Sequence, residues 1–257
     1  MPGTTLSIPG PGSVMRRLLA VPSRSDRTEI LDAEGHDPAE LAANFRDIQR
    51  VNGLLGGTST ILRHLPRLLA AIPDGQPVTV LDLATGSADI PLAISRWANR
   101  QGRDITIVAS DSSEPILTLA REQTRNHPDI TVINYDALAV PLPDGQFDIV
   151  LCSLSLHHFA PDDAVQVLRE MDRLARTGFI LNDLRRGRLG YAAAWIASRL
   201  TTRNRLTRHD APLSVLRAYT PSELEALLGR AGINDAVIST HLWFRMAAVS
   251  TKAIPHG

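Results

Sequence analysis

From Val78 onward the chain alternates short apolar runs with stretches whose apolar residues recur at helical spacing. Val78, Val80, Leu81 and Leu83 form the first run. A turn of small residues follows at 84–88, and then a helix is predicted over 90–98. The same reading places strands at 105–109, 130–133, 147–153 and 179–181, with helices at 114–123 and 162–175 between them. Strand and helix in alternation predict a parallel sheet covered by helices. After Leu181 the rhythm breaks. An apolar helical stretch at 191–200 leads into the basic segment 201–210, and Thr220, Pro221 and Glu223 open another helix over 223–231. Two late strands, about 236–239 and 244–251, are close enough to pair antiparallel.

Ahead of Val78, Asp37 and Glu40 have capping-box spacing with Pro38 at the first helical position, and Leu41, Phe45 and Ile48 continue the stripe. Gly56 and Gly57 stop that helix, and a second one carries Leu62, Leu65 and Leu69. These helices either widen the core or, around 45–52, cap a pocket. The organisation expected is therefore a flexible tail over 1–36, a helical cap over 37–75, and an α/β domain over 76–257 interrupted by a lid at about 188–219. A proline- and glycine-rich start suits a tail and lacks the basic-then-apolar pattern of a signal peptide.

Composition narrows the function. At 257 residues with 44% hydrophobic content, one large domain can bury a sizeable core. Formal net charge is zero, which argues against a nucleic-acid partner held by bulk charge. One cysteine rules out an internal disulfide framework. No apolar run reaches a membrane span, so the expected location is the cytoplasm and the expected state a monomer or homodimer.

In an open parallel sheet, ligands bind beyond the carboxyl ends of the strands. Asp82, Asp111, Asp136 and the segment Ser155–His158 all fall at such ends. A carboxylate after the second strand suits the hydroxyls of an adenosine ribose; the competing role for Asp111 is a helix cap. Asp136 suits an adenine amino group or a turn, and Asp82 suits a cationic amine. A dinucleotide is the rival ligand, but Asp89 at the helix start opposes a pyrophosphate. The pattern favours an adenosine ligand without phosphates.

The stretches VLDLATGSAD, IVASDSSEPILTLARE and YDALAVPLPDGQFDIVLCSLSLHHF together resemble the motif series of class I S-adenosylmethionine-dependent methyltransferases. Their nearest likeness is to the small-molecule branch that includes the ubiquinone/menaquinone-type enzymes. The resemblance implies a Rossmann-like seven-stranded, mostly parallel sheet with an antiparallel last strand. It also implies S-adenosylmethionine as cofactor and S-adenosylhomocysteine as product. Asp82, Ala84, Thr85 and Gly86 would line the methionine part, Asp111 and Ser112 the ribose, and Asp136 and Ala137 the adenine. Ser153 and Leu154 would pass beneath the sulfonium. Ala84 and Ala88 replace more usual glycines. Leu154 and His157 stand where some relatives carry a Glu-rich metal-associated motif, so no metal is expected.

Transfer to a phenol, quinone-like or polyketide-like acceptor is helped by a base of pKa near 7, for which His157, His158 and His209 are candidates. The competing role for His157 and for His158 is to fix the loop. Phe45, Arg186, Tyr191, Arg208 and Tyr219 are candidates for holding the acceptor, although most arginines of this kind only solvate a surface. An NAD-dependent oxidoreductase and a non-methylating protein that binds the same cofactor are the alternative functions.

Overall fold

The computed structural model describes residues 21–252. Its centre is a seven-stranded sheet in the order β3-β2-β1-β4-β5-β7-β6, built from β1 (Val78–Leu83), β2 (Ile105–Asp111), β3 (Ile130–Asn134), β4 (Phe147–Ser153), β5 (Ala175–Leu184), β6 (Val237–His241) and β7 (Arg245–Thr251). The first five strands run parallel, and β7 pairs antiparallel with both β5 and β6. The order reverses between β1 and β4, so the switch point lies at the end of β1. This is the Rossmann-like sheet the sequence predicts. The fifth strand is longer than its apolar run, because Asn182 and Asp183 are held in register by Ala247 and Met246 of β7.

The helices are α1 (Pro38–Leu54), α2 (Gly57–Leu69), α3 (Asp89–Gln101), α4 (Glu114–Thr124), α5 (Pro161–Leu174), α6 (Arg188–Thr201), α7 (Arg205–Arg217) and α8 (Pro221–Ala231). One apolar cluster packs α2 and α3 against the sheet through Ile61, Leu65, Leu68, Val80, Ile94, Ile149 and Ile180. A second packs α5 and α8 through Val167, Leu168, Met171, Leu224 and Leu227. Burying each such side chain stabilises the fold by about 1.5–3 kcal/mol.

Three expectations change. Of the expected cap, only α1 lies over the turn after β1, since the apolar stripe of α2 belongs to the sheet core. Asp37 caps α1 by accepting from the amides of Ala39 and Glu40, but Glu40 pairs with Arg205 instead of closing a capping box. Residues 1–20 of the expected tail lie outside the described residues. Residues 21–36 are packed in place, with a short 3-10 turn at Ile30–Asp32 and the Ser25 amide donating to the Leu216 carbonyl. Among the described residues no helix is long and apolar enough to cross a membrane.

Candidate active site

The turn after β1 is built tightly. Ala84, Gly86 and Ala88 all adopt positive φ, at 53°, 59° and 62°. The two alanines take the left-handed conformation that glycine adopts freely, at about 1–2 kcal/mol each. Gly86 has a second reason to be glycine: a Cβ there would meet the Phe45 ring at 3.0 Å. The inner face of α1 continues along the turn, with Gln49 donating to Ser87 and Asn52 to Asp89 at 2.9 Å. Phe45 therefore lies against the turn. We expect Gly86→Ala to lower stability by about 1–3 kcal/mol, read by chemical denaturation, from strain and displacement of that ring.

Around this turn three carboxylates gather: Asp82 is buried, and Asp89 and Asp111 are half-buried. Asp82 accepts the Thr85 hydroxyl on Oδ2 at 2.6 Å, while its Oδ1 is buried with no hydrogen-bond partner. Burial pushes the Asp82 carboxyl up to about 7, and the charges of Asp89 and Asp111 push the same way, against the Thr85 hydrogen bond. Asp111 is also raised by burial, although the amides of Gly86 and Ser113 donate to it. Burial raises Asp89 as well, opposed by Asn52. Asp136 is exposed and accepts the Leu138 amide in a turn, with Ala137 buried beside it and Ser112 exposed after β2. A site with this much concentrated negative charge suits a cationic ligand and repels a pyrophosphate.

On the far side of the switch point, Ser153 ends β4 and accepts from Asn182, and Leu154 turns away at a φ of 54°. The short 3-10 turn Leu156–His158 follows. His157 is buried, its Nδ1 2.7 Å from Asp183 Oδ1, and its amide donates to the other carboxylate oxygen. Burial raises Asp183, but the attraction and hydrogen bonds of His157 outweigh it, leaving the carboxyl below its usual range. His158 Nδ1 lies 2.7 Å from Asp32 Oδ1, and the two imidazoles pack with centroids 4.4 Å apart. Burial also raises Asp32, but His158 and Arg217 together bring it to about 2. Glu29 completes the group, with its carboxylate oxygens 3.7 Å from His157 Nε2 and 3.9 Å from His158 Nε2. Burial raises Glu29 to about 7.

Several expected acceptor residues serve structure instead. Arg186 is buried, donating to the carbonyls of Pro22 and Ala218 and pairing with Glu223. Arg208 donates to the carbonyls of Thr202 and Arg199 and so closes the end of α6. Tyr219 lies in the apolar core with its hydroxyl on the Phe159 carbonyl, and Arg24 stacks over its ring. His209 pairs with Asp210, whose carboxylate accepts the amides of Ile30 and Leu31. No hydrogen bond or ion pair described here joins His209 to the His157–His158 cluster. Tyr191 stays on the partly exposed face of α6. The sequence reading missed Glu29, Asp32 and Arg217. Asp183 had a signal in its place at the end of a predicted strand, but nothing marked its pairing with His157.

Residues 80–178 match the family model described as a methyltransferase domain. Over that stretch the chain is similar to methyltransferase domains. It is 34% identical over 102 residues to the ubiquinone/menaquinone biosynthesis C-methyltransferase UbiE of Serratia proteamaculans, covering 38% of this chain and 39% of that one. It is also 34% identical over 118 residues to the demethylmenaquinone methyltransferase of Thermus thermophilus, covering 46% and 51%. The chain thus spans about half the length or less of these relatives. A methyltransferase from Aquifex aeolicus shares the fold at a TM-score of 0.56 and 17% identity, over 84% of this chain and 98% of that one. The CurJ carbon methyltransferase does so at 0.63 and 11%, over 84% and 61%.

Proposed function

We propose that this protein transfers a methyl group from S-adenosylmethionine to a carbon or oxygen of a small, largely apolar acceptor, of the phenolic, quinone-like or polyketide-like class. The observation that carries the reading is the unpartnered, buried Oδ1 of Asp82 among three carboxylates. That oxygen suits an ammonium group. Asp111 keeps lone pairs free for two ribose hydroxyls while its amide partners fix its orientation. Asp136 and Ala137 stand where the adenine would lie. When bound, the cofactor supplies an electrophilic methyl on a positively charged sulfur, and the surrounding carboxylates favour that charge.

The chain's contribution is chiefly positioning, which can lower such a barrier by several kcal/mol. The rigid turn at 84–88 fixes one partner. Ser153, Leu154 and His158 stand at the acceptor side, with His158 about a quarter exposed and so accessible to a ligand. The region 188–219 is the proposed cover, because α6 presents Leu189, Trp195, Ile196 and Leu200 on its surface. Carbon methylation is the chemistry named for the Serratia relative, and it favours a carbon acceptor here.

Calorimetric titration with S-adenosylmethionine, S-adenosylhomocysteine and NAD tests the cofactor, followed by transfer of labelled methyl to hydroquinone and naphthoquinol probes. We expect binding of both sulfur ligands at micromolar concentration and none of NAD. Binding of NAD alone would overturn the reading. Tight S-adenosylhomocysteine binding without transfer to any probe would favour a non-methylating role.

A further inference from the structure

We propose that Glu29, His157 and His158 form a binding site for one divalent transition cation of the zinc class. The potential ligand atoms of the three residues all lie within 4.8 Å of one another. Each imidazole has its Nδ1 against a carboxylate, Asp183 for His157 and Asp32 for His158, both at 2.7 Å. An ionised carboxylate only accepts hydrogen bonds, so both Nδ1 atoms carry a proton and both rings bring Nε2 toward Glu29, 3.7 and 3.9 Å from its carboxylate oxygens. Glu29 Oε1 is buried without a hydrogen-bond partner. Three potential ligand groups therefore converge, with Arg217 Nε 3.9 Å from Glu29 Oε1 as the neighbouring cation.

The arrangement of carboxylate, histidine and open Nε2 is the one that orients metal-binding imidazoles. Two histidines and one glutamate leave a fourth position for water or for an oxygen of the acceptor.

Zinc bonds of about 2.0–2.1 Å put donors roughly 3.3 Å apart, so the cluster contracts slightly on loading. A cation there would polarise an acceptor oxygen. This site differs from the Glu-rich motif that Leu154 and His157 replace: its carboxylate comes from the N-terminal segment. The inference rests on this ligand geometry and not on the methyl-transfer reading.

The test is titration of the full chain, stripped with chelator, with zinc and with cobalt(II), followed by calorimetry and by the visible bands of tetrahedral or five-coordinate cobalt. We expect one equivalent bound at submicromolar concentration, weakened about 100-fold by Glu29→Gln and by His158→Ala. The near-isosteric Glu29→Gln keeps the fold, which its melting curve checks. A second histidine pair, His64 and His241 with Nε2 atoms 3.2 Å apart, provides the control. Binding that survives Glu29→Gln and His158→Ala, or that disappears in the His64→Ala/His241→Ala protein, overturns the proposal. So does the lack of any site tighter than about 0.1 mM. S-adenosylhomocysteine binding is measured on the same preparations. Its persistence without metal binding defeats this inference alone, and metal binding without it defeats the methyltransferase reading alone.

Discussion

Asp82→Asn weakens S-adenosylhomocysteine binding about 100-fold or more at pH 8, the largest loss expected from a single near-isosteric change. The mutation removes the charge that faces the ligand's ammonium and leaves the Thr85 hydroxyl a partner. The pH profile makes the prediction specific. Free Asp82 is raised to about 7 by burial and by its acidic neighbours, whereas a bound cation favours the ionised form. Below pH 7 the ligand must displace a proton, so wild-type affinity falls roughly tenfold per pH unit on acidification and is level above pH 7. The Asn variant shows no such slope.

Stability moves the opposite way. A carboxyl with a raised folded pKa contributes stability that is complete below its unfolded pKa and is lost as pH rises to the folded value. For Asp82 that window runs from 3.8 to about 7. The unliganded Asn variant should therefore gain on wild type by a few kcal/mol across that range. Equal pH slopes for the two proteins, in binding or in melting, would show that Asp82 does not face the ligand's cation.

Arg217→Ala carries the second large effect, on the architecture of the proposed acceptor side. This buried guanidinium donates to the carbonyls of Arg27, His157 and His158 and pairs with Asp32 at 2.9 Å. It ties the N-terminal segment to the turn that carries both histidines. Its removal leaves Asp32 to His158 alone and takes the donor from the carbonyls of Arg27 and His158, which costs about 2–4 kcal/mol. For a chain of this size that lowers Tm by about 4–16 °C. Residues 21–36 come loose first, so trypsin should cut at Arg24 or Arg27 before the domain unfolds. Arg217→Lys should recover less than half of the loss, because a single ammonium cannot reproduce the planar fork. Unchanged melting and cleavage in the alanine variant would mean that the segment is held by its backbone alone.

The cofactor side was more legible in the sequence than the acceptor side, for a physical reason. Asp82, Gly86 and Asp111 sit at strand ends within one βαβ unit, so an apolar period followed by a polar residue already places them. α7 shows the opposite case. It buries Thr207, Asp210, Ser214 and Arg217 as well as Leu206 and Leu213, and it carries Pro212 inside. A helix whose inner face is polar because it holds other segments has no apolar stripe to read. Its basic start looks like a solvated loop.

The local pattern by itself determined the parallel sheet, the antiparallel finish, the tight turn after β1 and the carboxylates beside it. These follow from side-chain periodicity and backbone demands over a few residues. Only the tertiary structure decided which polar residues meet on the acceptor side. Asp32 and His158 pair across 126 positions, and Glu29 reaches the same imidazoles from a stretch whose sequence reads as tail. The free energy that selects such pairs comes from burying charges that must find partners. That requirement acts between distant segments and leaves no periodic trace in either one.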